Sequence, residues 1–333
     1  MKWNIPIALL FAGTMSLSGY ETLESDYRLN GTFMHAVVER ARQSLQEFSA
    51  VVYDGRKEIA YGVVMSEDGY IVTKWSEVKD AKELKLRIDE TFYENVSFVS
   101  GDAQWDICVL KIEASELKSV LFAEDSQIDE GSWVIANGAT SRSDRRPMIG
   151  IISAPSREIE AEGGPVLGIE IIEEKGTLIA GEIPEASGSY KAGIRKGDKI
   201  LKLNDQKISK SEDVVAFMKE RKVGEEVEVS YMRKGKTTKV TVKLQGRADI
   251  FGIEKTRNDE MSGDFSKRRS GFPRVLQHDV PGNSRTVGGP LLDLEGKCIG
   301  MNIARANRAE SFAIPMEEMR EVSQRLIEQA RLK

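Results

Sequence analysis

The sequence predicts a mainly β fold: two six-stranded antiparallel barrels, a smaller domain inserted into the second barrel, and a helix closing the chain. Three observations predict it. Short apolar runs separated by turn residues recur at even spacing from residue 51 to residue 153, the pattern of small antiparallel barrels. The same pattern resumes only at 274–314. Between them, 163–246 carries its own strands and helix, within the size range of an independent small domain.

The opening reads as an export signal. Lys2 gives a positive start, and Ile5–Met15 is an apolar run too short to span a bilayer. Ser16 and Ser18 put small residues where signal peptidase reads them. This predicts a signal peptide over 1–18, a mature start between Gly19 and Leu23, and an exported protein, periplasmic or extracellular, with no transmembrane span. Tyr20 follows Leu17-Ser18-Gly19 where lipidation needs a cysteine, so no lipid anchor is expected. In the segment 19–49, Phe33, Val37, Ala41, Leu45 and Phe48 repeat at helical spacing and define one expected face.

The first barrel is expected over 50–125. Val51-Val52-Tyr53, the Asp54-Gly55 turn and Ala60–Met65 read as a hairpin. A turn at Asp68-Gly69 precedes Tyr70–Thr73, and further strands fall at Leu84–Ile88, Val96–Ser100 and Ile107–Ile112. The second barrel is expected over 126–160 and 272–333. Its strands are Trp133–Ala136, Met148–Ser153, Arg274–His278, Leu291–Leu294, Cys298–Ile303 and Ser311–Ile314. Met319, Val322, Leu326 and Ala330 then form the stripe of a terminal helix.

The insert reads as strands at Gly168–Ile172, Leu178–Ile183 and Ile200–Leu203, a helix at Glu212–Lys222, and a hairpin, Glu226–Arg233 with Thr237–Leu244. Residues 247–271 are polar and rich in Gly, Ser and Arg, which predicts a mobile linker. The dense basic run Lys267-Arg268-Arg269 within it is expected to be a solvated loop.

With 48 basic against 53 acidic residues and a net charge of -5, the chain lacks the electrostatic footprint of a nucleic-acid binder. The two cysteines, Cys108 and Cys298, lie in apolar strand runs of different barrels and are expected as buried free thiols. No metal-ligand spacing or phosphate loop is present, so no metal and no cofactor is expected.

Four stretches resemble HtrA-type, trypsin-fold serine proteases. Ser66–Thr73 resembles the strand and turn before their catalytic His. Trp105–Ile112 resembles the segment carrying their catalytic Asp, Gly288–Gly300 the segment after their catalytic Ser, and Phe312–Pro315 the end of their second barrel. The resemblance implies a Ser-His-Asp triad, but the catalytic positions depart from it. Asp106 keeps the Asp position. Ser76 stands where the His belongs, and a hydroxyl is no general base near neutral pH. An ungapped count from Asp279 puts Val287 on the nucleophile position and Arg285 on the Gly whose amide helps form the oxyanion hole. An alternative nucleophile is Ser284, in Gly282-Asn283-Ser284, which matches the family's G-N-S three residues early. His35 and His278, the two histidines, are read as packing residues. These departures predict a pseudoprotease; the alternative is an active endopeptidase using Ser284.

The insert resembles a PDZ domain. Gly164–Ile169 resembles the carboxylate-binding loop of HtrA PDZ domains, and Ala192–Ile200 their A-G-L-x-x-G-D-x-I stretch. The resemblance implies capture of protein C-termini or unfolded segments by β-augmentation. The expected peptide-binding residues are Leu167, Gly168, Ile169 and Ile171 on the loop and strand, with Val215 and Met218 on the helix opposite; the alternative for these two is plain core packing. Family members commonly trimerise, so residues 20–50 are the candidate surface for a homo-oligomer.

Overall fold

The computed structural model describes residues 24–28, 31–125, 127–138, 146–252, 266–283 and 285–332. The expected signal peptide, Ser284 and positions 253–265 of the linker lie outside the described residues. The chain divides into two units, 1–37 and 38–333. The first holds a short 3-10 turn, Ser25–Tyr27, and the start of helix α1 (Thr32–Phe48), where His35 is exposed. Further along α1, Ala41, Leu45 and Phe48 are buried in the core of the second unit, whereas Phe33 is 56% exposed. The expected apolar face does not run the whole helix. Positions spaced by four drift about 40° per step, which leaves Phe33 about 120° from Leu45.

The second unit begins with strands β1 (Ser49–Asp54), β2 (Lys57–Val64) and β3 (Tyr70–Lys74), then a one-turn helix α2 (Trp75–Val78). Strands β4 (Leu84–Ile88), β5 (Thr91–Tyr93), β6 (Val96–Asp102) and β7 (Ile107–Ile112) follow. They form one antiparallel sheet in the order β5-β4-β1-β2-β3-β7-β6, and β4 approaches β6 so that the sheet curls into barrel form. It has seven strands rather than six. The extra strand, β5, is three residues long, too short to show a two-residue period in the sequence.

The second barrel starts with β8 (Trp133–Asn137) and the long β9 (Pro147–Ile159), and is then interrupted. The insert comprises β10 (Pro165–Val166), β11 (Ile171–Glu174), β12 (Thr177–Ala180), helix α3 (Gly188–Lys191), β13 (Lys199–Leu203), β14 (Gln206–Lys207) and helix α4 (Ser211–Lys219). It ends with β15 (Glu226–Arg233), β16 (Lys236–Lys243), β17 (Gln245–Gly246) and the short helix α5 (Arg247–Phe251). Its own core, around Leu178, Ile200, Leu203, Val227, Val229 and Val242, holds no barrel residue. The pair β10–β17 ties its two ends together.

The barrel resumes with β18 (Phe272–His278), β19 (Pro290–Leu292), β20 (Cys298–Arg305) and β21 (Ser311–Pro315), followed by helix α6 (Met316–Arg331). It is closed in the order β18-β21-β20-β19-β8-β9. The largest core joins both sheets: Val72, Ile107 and Val109 from the first, Ile135, Met301 and Phe312 from the second, with Met319, Val322 and Leu326 of α6. The hydrophobic stripe of α6 therefore spans both barrels, packing on β6 and β7 as well as β20 and β21. Cys108 and Cys298 are buried free thiols in different core clusters, and burial pushes both upward, Cys298 to about 12.

The linker departs from expectation at both ends. Residues 247–251 are helical, and the basic run is no solvated loop: the Arg269 side chain is only 10% exposed and its guanidinium grips Glu162. Arginine side chains satisfied by carboxylate and carbonyl acceptors can be ordered at positions where composition alone suggests water.

Candidate functional site

The face where the two barrels meet gathers the three positions singled out in the sequence. Strand β3 ends at Lys74 and turns at once into α2, which carries Ser76. Asp106 sits immediately before β7, 1% exposed and at φ +58°, a conformation that re-aims its side chain. The Trp75 amide donates to the Asp106 carbonyl at 2.9 Å. The Ser76 amide donates to Asp106 Oδ1 at 2.7 Å, and the Ser76 hydroxyl donates to Oδ2 at 2.8 Å. Ser76 thus binds the carboxylate on the side where an imidazole would be oriented, but brings no group able to accept a proton from a nucleophile near neutral pH.

Lys74, fully buried, adds a cation to the pair. Its Nζ lies 3.7 Å from Asp106 Oδ2 and 4.0 Å from Glu77 Oε1, and donates to the Arg268 carbonyl at 2.7 Å. Burial lowers its pKa, against the opposing pull of Asp106 and Glu77. No residue given a catalytic role in the sequence called attention to this lysine. Its only signal was a charged residue at the end of an otherwise apolar strand.

Val287 is 3% exposed and closes onto the first barrel. Its carbonyl accepts from the Tyr61 amide at 2.8 Å, while the Tyr61 carbonyl accepts from the Thr73 hydroxyl at 2.5 Å. Gly288 takes φ +89°, and a Cβ there would stand 2.2 Å from the Tyr61 carbonyl oxygen, so only glycine fits this approach. The loop before Val287 folds on itself. The Arg285 amide donates to Asn283 Oδ1 at 2.8 Å, the Asn283 amide to Thr286 Oγ1 at 3.0 Å, and the Thr286 amide to the Asn283 carbonyl at 3.1 Å. The amide at the expected oxyanion position is therefore spent within the loop.

Beside Val287 is a small pocket walled by Asn137, His278, Thr286 and Asn302. His278 is 2% exposed; its Nδ1 accepts from the Val280 amide at 3.3 Å, which leaves the proton on Nε2. Burial pushes His278 from its usual 6.5 down to about 4, more than the Asn302 carboxamide and Asp279 restore. His278 belongs to the pocket wall, and nothing places it against Asp106.

In the insert, Gly168 adopts φ +71° and a Cβ there would stand 2.5 Å from the Ser187 Cβ. The Leu167 carbonyl accepts from the Ser189 hydroxyl at 2.6 Å, anchoring the loop on α3. Strand β11 is the edge of its sheet, paired with β12 alone, and α4 packs beside β10 and β11. Leu167, Ile169, Ile171 and Met218 come together around one core, joined by Val214. Val215 does not join them: it is 56% exposed, on a concavity lined by α4 alone. Asp198 is held by the Arg233 fork at 2.6–2.7 Å and accepts from the Arg195 amide, so it braces the loop before β13.

Residues 165–244 match the PDZ domain family. The chain is also 23% identical over 272 residues to a probable periplasmic serine endoprotease, DegP-like, of Marinomonas sp. (58% of each chain). A DegP-like relative of Pseudomonas savastanoi pv. phaseolicola is 22% identical over 294 residues, covering 62% of this chain and 61% of that protein. This is an HtrA-like chain. A third relative, the DegP-like protein of Pseudomonas fulva, is 30% identical over 106 residues, 22% of its length. The HtrA-like chain thus spans at most about three fifths of the length of these relatives. No helix among its described residues is long and apolar enough to cross a membrane, and no group of metal-ligating side chains is found among them.

Proposed function

We propose that this HtrA-like chain is an exported peptide-binding pseudoprotease, in which the insert captures protein C-termini or unfolded segments and the barrels serve as a non-catalytic scaffold. The observation that carries the reading is the Ser76–Asp106 pair: both Asp106 oxygens are taken by Ser76, so no proton acceptor stands between carboxylate and nucleophile position. Valine at that position and the self-bonded Arg285 amide support it. Loss of a triad base or nucleophile costs about 10⁶ in turnover. The open edge of β11 beside α4 supports strand addition, with the Leu167-Gly168-Ile169 loop as the candidate carboxylate nest.

Two measurements on the full chain test this reading. A labelled unfolded protein should stay intact; hydrolysis that is lost on Ser284→Ala would make Ser284 the nucleophile and the chain an enzyme. Peptides with free apolar C-termini should bind with affinity on the order of micromolar, and amidating the terminus should abolish that binding. Equal binding of acid and amide forms would refute the carboxylate role.

A further inference from the structure

The pocket beside Val287 is walled by three polar side chains that leave hydrogen-bonding capacity unused. Each comes from a different strand of the closed second barrel: Asn137 ends β8, His278 ends β18, and Asn302 interrupts the apolar run of β20. They are 2%, 2% and 7% exposed. His278 Nε2, Asn302 Oδ1 and both carboxamide atoms of Asn137 are buried and find no hydrogen-bond partner among the described residues. A buried polar atom without a partner costs stability, so four around one pocket point to a shared ligand.

Other polar groups of the wall are already engaged. The Asn302 carboxamide nitrogen donates to the carbonyls of Gly289 and Pro290 at 3.5 and 3.4 Å, which leaves its oxygen as the spare atom. The Thr286 hydroxyl donates to the Asn283 carbonyl, and the Ser311 hydroxyl to the Val280 carbonyl. Because the Val280 amide donates to His278 Nδ1, the ring proton stands on Nε2. Asn302 lies close enough to bias the ring toward protonation, yet no direct hydrogen bond joins Nε2 to its oxygen. Such a near miss is the spacing of a water bridge. The spare groups are balanced. Two donors, His278 Nε2–H and the Asn137 amide, accompany two acceptors, the oxygens of Asn137 and Asn302. A cation would meet the two donors and an anion the two acceptors, whereas water accepts two hydrogen bonds and donates two. The pocket has about 20 Å³ of room, the size of one water.

We propose that this pocket is a hydration site for a single enclosed water, which bridges His278, Asn137 and Asn302 and so ties β18, β8 and β20 together beside Val287. Internal waters that make three or four hydrogen bonds are structural parts of a fold and costly to remove. Gly289 helps to keep the site open: a Cβ there would stand 3.1 Å from Asn137 Nδ2 and crowd the amide that the water needs. One water cut off from bulk solvent orients the His278 ring but does not solvate a charge on it. The site stands whether or not the chain cuts peptides and whether or not the insert binds C-termini.

The test counts waters. Oxygen-17 relaxation dispersion on the full chain reports waters held for longer than the protein takes to tumble. Wild type should hold one more such water than Asn137→Leu, whose larger apolar side chain takes the room and offers no hydrogen bond. An equal count in a folded variant, its fold shown by unchanged tryptophan fluorescence, overturns the proposal. So does a difference that appears only with added sodium chloride, which would mark an ion. Should the variant fail to fold, nitrogen-15 NMR of wild type decides. The chain has two histidines, told apart by His35→Gln. His278 should carry its proton on Nε2, with a cross-relaxation signal from that proton to water. A proton on Nδ1, or no such signal, overturns the proposal.

Discussion

His278 makes stability depend on acid in a way that can be isolated. It is buried beside Asn302 and Asn137, its Nδ1 already accepts from Val280, and a second ring proton would place a charge away from water. The folded protein holds its pKa near 4, against 6.5 when solvated. The sign follows: between these values the unfolded chain takes up a proton that the folded chain refuses, so stability is full above pH 6.5 and falls as pH drops toward 4. Each unit is worth about 1.4 kcal/mol, so the whole effect is about 3 kcal/mol and about 2.5 of it is gone by pH 4.5. The perturbation is His278→Gln, which cannot titrate. Urea unfolding at pH 7.5, 6.5, 5.5 and 4.5 can be followed by tryptophan fluorescence, which reports on the barrels because the insert contains no tryptophan. Carboxylates titrate equally in both proteins and cancel in the difference. The stability advantage of wild type over variant should shrink by about 2.5 kcal/mol from pH 7.5 to 4.5. Parallel curves would refute the buried neutral imidazole.

Two further outcomes follow from the barrel face. Lys74→Met removes the cation from a buried group of charges and leaves Asp106 and the Arg268 carbonyl short of a partner, so it should cost about 3–5 kcal/mol, read as a lower urea midpoint at unchanged slope; Lys74→Met/Asp106→Asn should recover part of that loss, and a single-variant cost under about 1 kcal/mol would show that the lysine is not coupled to the site. Ser76→His and Val287→Ser should each leave the chain inert toward a labelled unfolded protein, because the triad acts as a unit, and hydrolysis should require both together with Arg285→Gly, which removes the Cβ that restricts the loop backbone and lets the residue 285 amide turn away from Asn283; activity from either single change would contradict this account.

Much of the fold was legible because it rests on period-two strands and glycine turns. The interrupted second barrel was readable for the same reason, since Phe312-Ala313-Ile314-Pro315 came after the insert. What escaped were features fixed by partners distant in sequence. Nothing local to Lys267-Arg268-Arg269 says that its acceptors are the carbonyls at 103–104 and the carboxylates of Glu77 and Glu162. Lys74 looked like an ordinary strand-end lysine until residues on three other segments closed over it. In α4, which of Val214 and Val215 turns inward depends on a rotation of about 100°, which the run of two valines leaves open.

The placement of the insert governs the order in which the chain can assemble. Strands β9 and β18 are neighbours in the closed barrel, yet about 110 residues separate them along the chain, a wide loop to close. Once the insert has folded and β10 has met β17, only about 30 residues of connecting chain remain, which reduces the closure cost by about 1 kcal/mol. The insert has its own core and can complete it before β18 exists. During synthesis the second barrel must therefore wait, half made, with β8 and β9 unpaired on their outer sides. A lesion confined to the PDZ core would then appear first as slow or failed barrel closure, in residues it never touches.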